Sequence, residues 1–194
     1  MHAPTPETIA TTARLLRAGG VAVIPTDTVY GIAAHPACAS AVGRICTIKG
    51  RPTGKPIALL AADMQAVLAF GAALPPAAQR LAAAYWPGAL TLVLPCGGAY
   101  EGFRVPDHDA TRALLAACGG TLRVTSANLS GAMPACSAVD ALNDVGLVAD
   151  LVIDGGVSPG GVASTVVKVE ADGALTVIRE GAIPSADIRR VAAG

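Results

Sequence analysis

Charge is scarce in this 194-residue chain: Asp, Glu, Lys and Arg make up 14% of it, and the formal charges sum to zero. Ordinary domains carry about a quarter, and sequence-independent nucleic-acid binding needs many phosphate contacts, which this balance does not favour. The histidines are few and far apart (His2, His35, His108), so they make no zinc spacing. Five cysteines (Cys38, Cys46, Cys96, Cys118, Cys136) include no C-x-x-C pair, which speaks against a metal knuckle and for idle thiols in a reducing cytoplasm. Aromatics are only 3%. The uncharged stretch Ala66 to Ala78 is interrupted by Gly71, Pro75 and Pro76 and is too short to span a bilayer, so no membrane association is expected. MHAPTPET shows no basic leader followed by an apolar run, so no secretory leader is expected. Named phosphate and nucleophile motifs are missing too. Gly155 to Gly160 has Walker spacing, but Gly161 and Val162 stand where lysine and a hydroxyl belong, and there is no G-x-S-x-G elbow.

What is present is apolar and small. Hydrophobic residues reach 53%, much of it alanine, and the length suits one domain with a sizeable core. Thr5 before Pro6 and Glu7 marks a helix start, closed by Gly19 and Gly20. Val21 to Pro25 reads as a strand, Val42, Ile45 and Cys46 as a helix ending near Gly50, and Pro56 to Ala62 as a strand with Asp63 capping the next helix. An alanine-rich helix follows Pro75 and Pro76, then a buried strand at Ala89 to Leu94. Asp109 is expected to cap a helix reaching Cys118, with a strand at Thr121 to Thr125 behind it. Ser137 with Asp140 forms a capping box, Leu151 to Asp154, Thr165 to Val169 and Leu175 to Arg179 read as strands, and Ser185 is expected to cap a last helix. Strands separated by helices predict an α/β fold, and two consecutive strands near the end make the sheet mixed.

Against the neutral background, RICTIKGRPTGK concentrates Arg44, Lys49, Arg51 and Lys55, and no acid lies between Asp27 and Asp63 to neutralise them in sequence. An arginine fork beside a lysine point charge suits a polyphosphate. Three polar loops follow strand-like runs: PTDTVYG (Pro25 to Gly31), TSANLSG (Thr125 to Gly131) and DGGVSPGGVASTVV (Asp154 to Val167). They bring hydroxyls and amides from Ser126, Asn128, Ser164 and Thr165, the chemistry of a small polar ligand site.

These loops, with KGRP at Lys49 to Pro52, WPGALTLVL at Trp86 to Leu94, RVPDH at Arg104 to His108 and IREG at Ile178 to Gly181, resemble in order and spacing the YrdC/Sua5/TsaC family of threonylcarbamoyl-AMP synthases. The resemblance runs from about Gly20 to Ile183. It implies a twisted mixed α/β sheet with a concave basic face, built as one YrdC-like domain over residues 1–194 of the short type. The implied activity is that of a nucleotidyltransferase, joining L-threonine, bicarbonate and ATP, with Mg²⁺ accompanying ATP, into threonylcarbamoyl-AMP and pyrophosphate. That is the first step of tRNA t6A modification, with tRNA and later modification proteins as further partners. By the same resemblance Lys49 and Arg51 carry the catalysis at the ATP phosphates, and Lys55, Ser126, Asn128, Pro134 and Arg179 complete the ATP site. Thr28, Tyr30, Arg104 and Ser164 would hold threonine. Sua5-type members often have Asn and His where this chain has Lys55 and Leu60. The alternative from another class is a module that recognises structured RNA by shape. A hydrogenase-maturation carbamoyl-transfer domain is the weaker third reading, since such domains sit in longer chains with zinc-finger cysteines.

Overall fold

The computed structural model describes residues 1–52 and 54–194. Helix α1 (Pro6–Arg17) begins on Thr5, whose hydroxyl accepts the Thr8 N–H at 3.2 Å, and turns Ala13 and Leu16 into the core. Strand β1 (Val21–Ile24) follows, and PTDTVYG leads into a strand the sequence pattern did not reveal, β2 (Gly31–Ala34), antiparallel to β1. Then come α2 (Ala39–Lys49), β3 (Leu59–Ala61), α3 (Met64–Ala69), capped by Asp63, and α4 (Pro76–Tyr85). Strand β4 (Leu90–Cys96) turns back into a second unforeseen strand, β5 (Ala99–Arg104), through Gly97 and Gly98. Both glycines have positive φ, 56° and 83°, as a two-residue hairpin turn demands.

Helix α5 (Asp109–Ala117) is capped by His108, not by Asp109: the imidazole Nδ1 lies 3.3 Å from the Thr111 N–H, and Asp109 occupies the first helical position. Strand β6 (Thr121–Ser126), α6 (Ala138–Ala141) with its capping box and a π-helical turn (Leu142–Gly146), and β7 (Leu151–Val152) come next. Strands β8 (Thr165–Val169) and β9 (Leu175–Arg179) form the expected hairpin before α7 (Ser185–Ala193). Ser185 is the first residue of α7 rather than its cap, and its N–H donates to the Glu180 carboxylate at 2.9 Å.

Among the described residues nine strands join one mixed sheet in the order β7-β1-β2-β6-β3-β5-β4-β8-β9, with β1–β7, β3–β5 and β4–β8 parallel. Alternate residues of each strand face opposite ways. On one face α2 and α6 pack on Val21, Val23, Ile32 and Ala34, while α4 and α7 pack on Leu59, Leu90, Leu92, Phe103 and Val167. On the other, α1 and α5 cover Ala22, Ile24, Ala33, Leu60, Leu122 and Val124. Among the described residues that second cluster takes nothing from β4, β5 or β8, so the sheet lies open there.

Candidate active site

A cavity of about 840 Å³ occupies this opening, within the roughly 300–1,000 Å³ of small-molecule sites. Its floor is sheet: Leu60, Thr91, Val93, Gly102, Val124 and Val166, with Ala58 just ahead of β3. Its walls are the loops between Thr26 and Gly31, between Ser126 and Gly131, and at Ala163 and Ser164, together with Lys49, Arg51, Lys55, Arg104 and Arg179. Ten of the expected site residues therefore converge, from positions 28 to 179. Pro134, in the loop after Asn128, is not among the residues that line the cavity.

The two ends of the cavity differ. At one, Arg104 is only 6% exposed and is held from three sides. Its Nε donates to the Gly88 carbonyl at 3.0 Å, one terminal nitrogen to Thr28 Oγ1 at 2.7 Å, and the other to Asp27 Oδ1 at 2.5 Å. That leaves two of five guanidinium N–H groups without a described partner. Burial pulls Arg104 below its ordinary pKa, Asp27 opposes this, and the like charge of Arg179 adds to it. Arg179, itself lowered by burial, donates to the Ser164 carbonyl at 2.8 Å. A buried guanidinium feeling the like charge of an exposed one favours an anion close to both.

At the other end Lys49 is 3% exposed, and its ammonium donates to the carbonyls of Ser126 and Asn128, tying the end of α2 to the TSANLSG loop. The Ser130 N–H returns a bond to the Lys49 carbonyl at 2.9 Å. Burial first, then the charge of Arg51, lower Lys49 to about 8. Arg51 closes its own loop, donating to the carbonyls of Lys55 at 3.4 Å and Pro56 at 2.6 Å, and exposed Lys55 stands at the mouth. The basic cluster is thus split. Arg44 leaves it for a bidentate pair with Asp150 at 2.7 and 2.8 Å, a neutralising partner 106 residues away that the sequence did not disclose. Asn128 gives its amide hydrogens to the carbonyls of Leu129 and Ala132 at 2.9 and 2.8 Å, while its Oδ1 is buried without a partner among the described residues.

The glycine-rich loop before β8 clamps the loop after β1. Tyr30 donates its phenol proton to the Gly156 carbonyl at 2.6 Å and accepts the Gly155 N–H at 3.0 Å, and Ser158 Oγ donates to the Thr26 carbonyl at 2.9 Å. Tyr30 lines the cavity, but its hydroxyl is committed to the fold. Two contributors escaped sequence reasoning. Asp27 orients Arg104 from within PTDTVYG, and Thr91 Oγ1 meets Ser164 Oγ at 2.8 Å. For Thr91 the signal was a lone hydroxyl inside the apolar run ALTLVL.

The Sua5/YciO/YrdC family model, described as "Telomere recombination", matches residues 14–181. A threonylcarbamoyl-AMP synthase of Bacillus subtilis (strain 168) is 36% identical over 195 residues, covering 94% of this chain and 56% of that protein. One from Pyrococcus abyssi (strain GE5 / Orsay) is 32% identical, covering 92% and 55%. The chain spans about half the length of these relatives. Among solved structures, P. abyssi Sua5 complexed with L-threonine superposes with a TM-score of 0.88 at 32% identity, over 95% of this chain and 57% of that one. E. coli YciO gives 0.81 at 28% identity, over 93% and 92%. With its sheet, its loops and nearly its whole length matched, the chain belongs to the Sua5/YciO/YrdC family.

Proposed function

We propose that this chain makes threonylcarbamoyl-AMP and pyrophosphate from L-threonine, bicarbonate and ATP, a nucleotidyl transfer that serves t6A modification of tRNA in the cytoplasm, with residues 1–194 acting as one YrdC-like unit. The observation that carries the reading is one cavity lined both by buried Arg104, with two N–H groups left over, and by the Lys49, Arg51 and Lys55 group, with Arg179, beside Ser164, kept for the nucleotide. One suits an amino-acid carboxylate and the other a triphosphate. The names of the relatives and the threonine in the P. abyssi complex support it.

Threonine enters as a zwitterion and docks its carboxylate on the two remaining Arg104 N–H groups. Its ammonium releases a proton to solvent, and the free amine adds to the bicarbonate carbon, an N–H proton and the bicarbonate hydroxyl leaving as water, to give a carbamate. A carbamate oxygen then forms a bond to the α-phosphorus of ATP as the bond to pyrophosphate breaks. Both reactants are anions, so the contribution of the protein is fixed positive charge and alignment, with no covalent step. Lys49 acts through its field and by shaping the TSANLSG loop, Arg51 and Lys55 at the mouth, and Asn128 Oδ1 offers an acceptor to the nucleotide. Mg²⁺ would come bound to ATP: no cluster of three or more His, Cys, Asp or Glu occurs among the described residues. Glu101, which lines the cavity, and Asp27 are paired with Arg123 and Arg104. No helix among the described residues is long and apolar enough to cross a membrane. The test is pyrophosphate release from ATP. It should require both L-threonine and bicarbonate, and release indifferent to either would overturn the reading.

A further inference from the structure

The hydroxyl protons at the arginine end of the cavity can be counted. Thr26 donates to the Val29 carbonyl at 2.7 Å, so in its 3.1 Å contact with Thr28 the donor is Thr28. Thr28 also accepts from Arg104, and the Thr26 oxygen takes the N–H groups of Thr28 and Val29 at 3.2 and 3.3 Å as well, so this turn's hydroxyls are engaged mainly with the turn itself. Tyr30 has given its proton to Gly156. Thr91 and Ser164 share one 2.8 Å contact, which holds only one of their two protons. Neither donates to any other described residue, so the pair keeps one proton in hand.

Both residues line the cavity and are nearly buried, at 6% and 7% exposure. Their positions are fixed. The γ-methyl of Thr91 points to Gly102, at 3.7 Å from where a β-carbon there would lie, which turns the hydroxyl toward Ser164. Branching at Cβ keeps Thr91 in that rotamer. Ser164 is anchored through its carbonyl by Arg179.

We infer that the Thr91–Ser164 pair reads the side-chain hydroxyl of the amino-acid substrate, with Thr91 as a specificity-determining residue, an inference that rests on the threonine reading above. A ligand hydroxyl that donates to one oxygen and accepts the free proton closes a ring of three hydroxyls, each giving one proton and taking one. A methyl group in its place leaves a buried donor unmatched. The ring recognises a hydroxyl and not the methyl beside it, so serine satisfies it as threonine does and valine does not.

The experiment compares wild type, Thr91→Val and Thr91→Ser, with threonine, serine and valine each titrated calorimetrically and in pyrophosphate release. Thr91→Val should lower the threonine-over-valine preference by about ten-fold or more while threonine over serine stays within about two-fold. Thr91→Ser, which restores the hydroxyl, should recover the first ratio. Ser164→Ala, should Thr91→Val not fold, should shift the same ratio. An unchanged threonine-over-valine ratio, an equal fall in both ratios, or no amino-acid binding by wild type overturns the inference. Normal amino-acid binding without pyrophosphate release would instead reject the synthase reading and leave the hydroxyl reader standing.

Discussion

Lys49 shows how one residue can answer to the fold and to the ligand together. Its ammonium satisfies two backbone carbonyls, so Lys49→Ala should cost about 1–3 kcal/mol of stability in addition to most of the ATP turnover, read by urea unfolding beside initial rates. Arg51→Ala, whose contacts lie within one exposed loop, should lose turnover with little change in the unfolding midpoint. Because the folded Lys49 sits at about 8, kcat/KM for ATP should fall as pH rises through that value, with wild-type rates measured from about pH 6.5 to about 9.5. The stability sign is opposite: between about 8 and the unfolded 10.5 the unfolded lysine holds a proton that the folded one has released, so this group's contribution grows with pH there. Arg104→Lys keeps the charge and loses the fork. It should raise the threonine KM by about ten-fold or more and leave the ATP KM within about two-fold. Equal rises would place Arg104 at neither substrate in particular.

Among the elements, the strand before the site depends on a close approach behind it. Gly181 lies against β8: a β-carbon there would stand 2.2 Å from the Ala163 carbonyl oxygen and 2.6 Å from the Ser164 carbonyl carbon. Thr165 seals the same corner, donating to the Ile183 carbonyl at 2.7 Å and accepting the N–H groups of Gly181 and Ile183 at 2.9 and 3.0 Å. Gly181→Ala should therefore cost about 1–3 kcal/mol in chemical unfolding and, by displacing Ser164, weaken threonine more than ATP. Elements with strong local signals were legible: the Thr5 cap, the Ser137 capping box, and β8 and β9, whose observed bounds equal the expected ones. The strands β2 and β5 were not. GIAA is short and small, and AYEGFR mixes charge and glycine; they become strands because neighbouring edges offer them register. Likewise a histidine displaced an aspartate as the α5 cap, a choice set by packing near Pro25, whose carbonyl accepts from Thr111 at 2.6 Å.

At the scale of the whole molecule, the family and most of the cavity lining were readable from the order of its loop motifs, whereas the pairs that orient those loops were not. Asp27 with Arg104, Thr91 with Ser164 and Arg44 with Asp150 join residues far apart in sequence, and no local pattern announces them. Ligand binding should register globally: ATP with L-threonine should raise the melting temperature, about 2.7 kcal/mol being expected at a hundred-fold excess over Kd, while ATP with valine should give less. A larger shift from structured RNA that vanishes with added salt would favour the RNA-binding alternative. The strand order has a kinetic consequence. Among the described residues, only β1–β2, β4–β5 and β8–β9 join successive strands, and the remaining neighbours wait for distant parts of the chain. The cavity draws on residues from Thr26 to Arg179, so a nascent chain holds no binding site until its last strands dock. Substrates should accordingly slow unfolding and leave the folding rate almost untouched, acting as a latch on the finished protein rather than as a template for it.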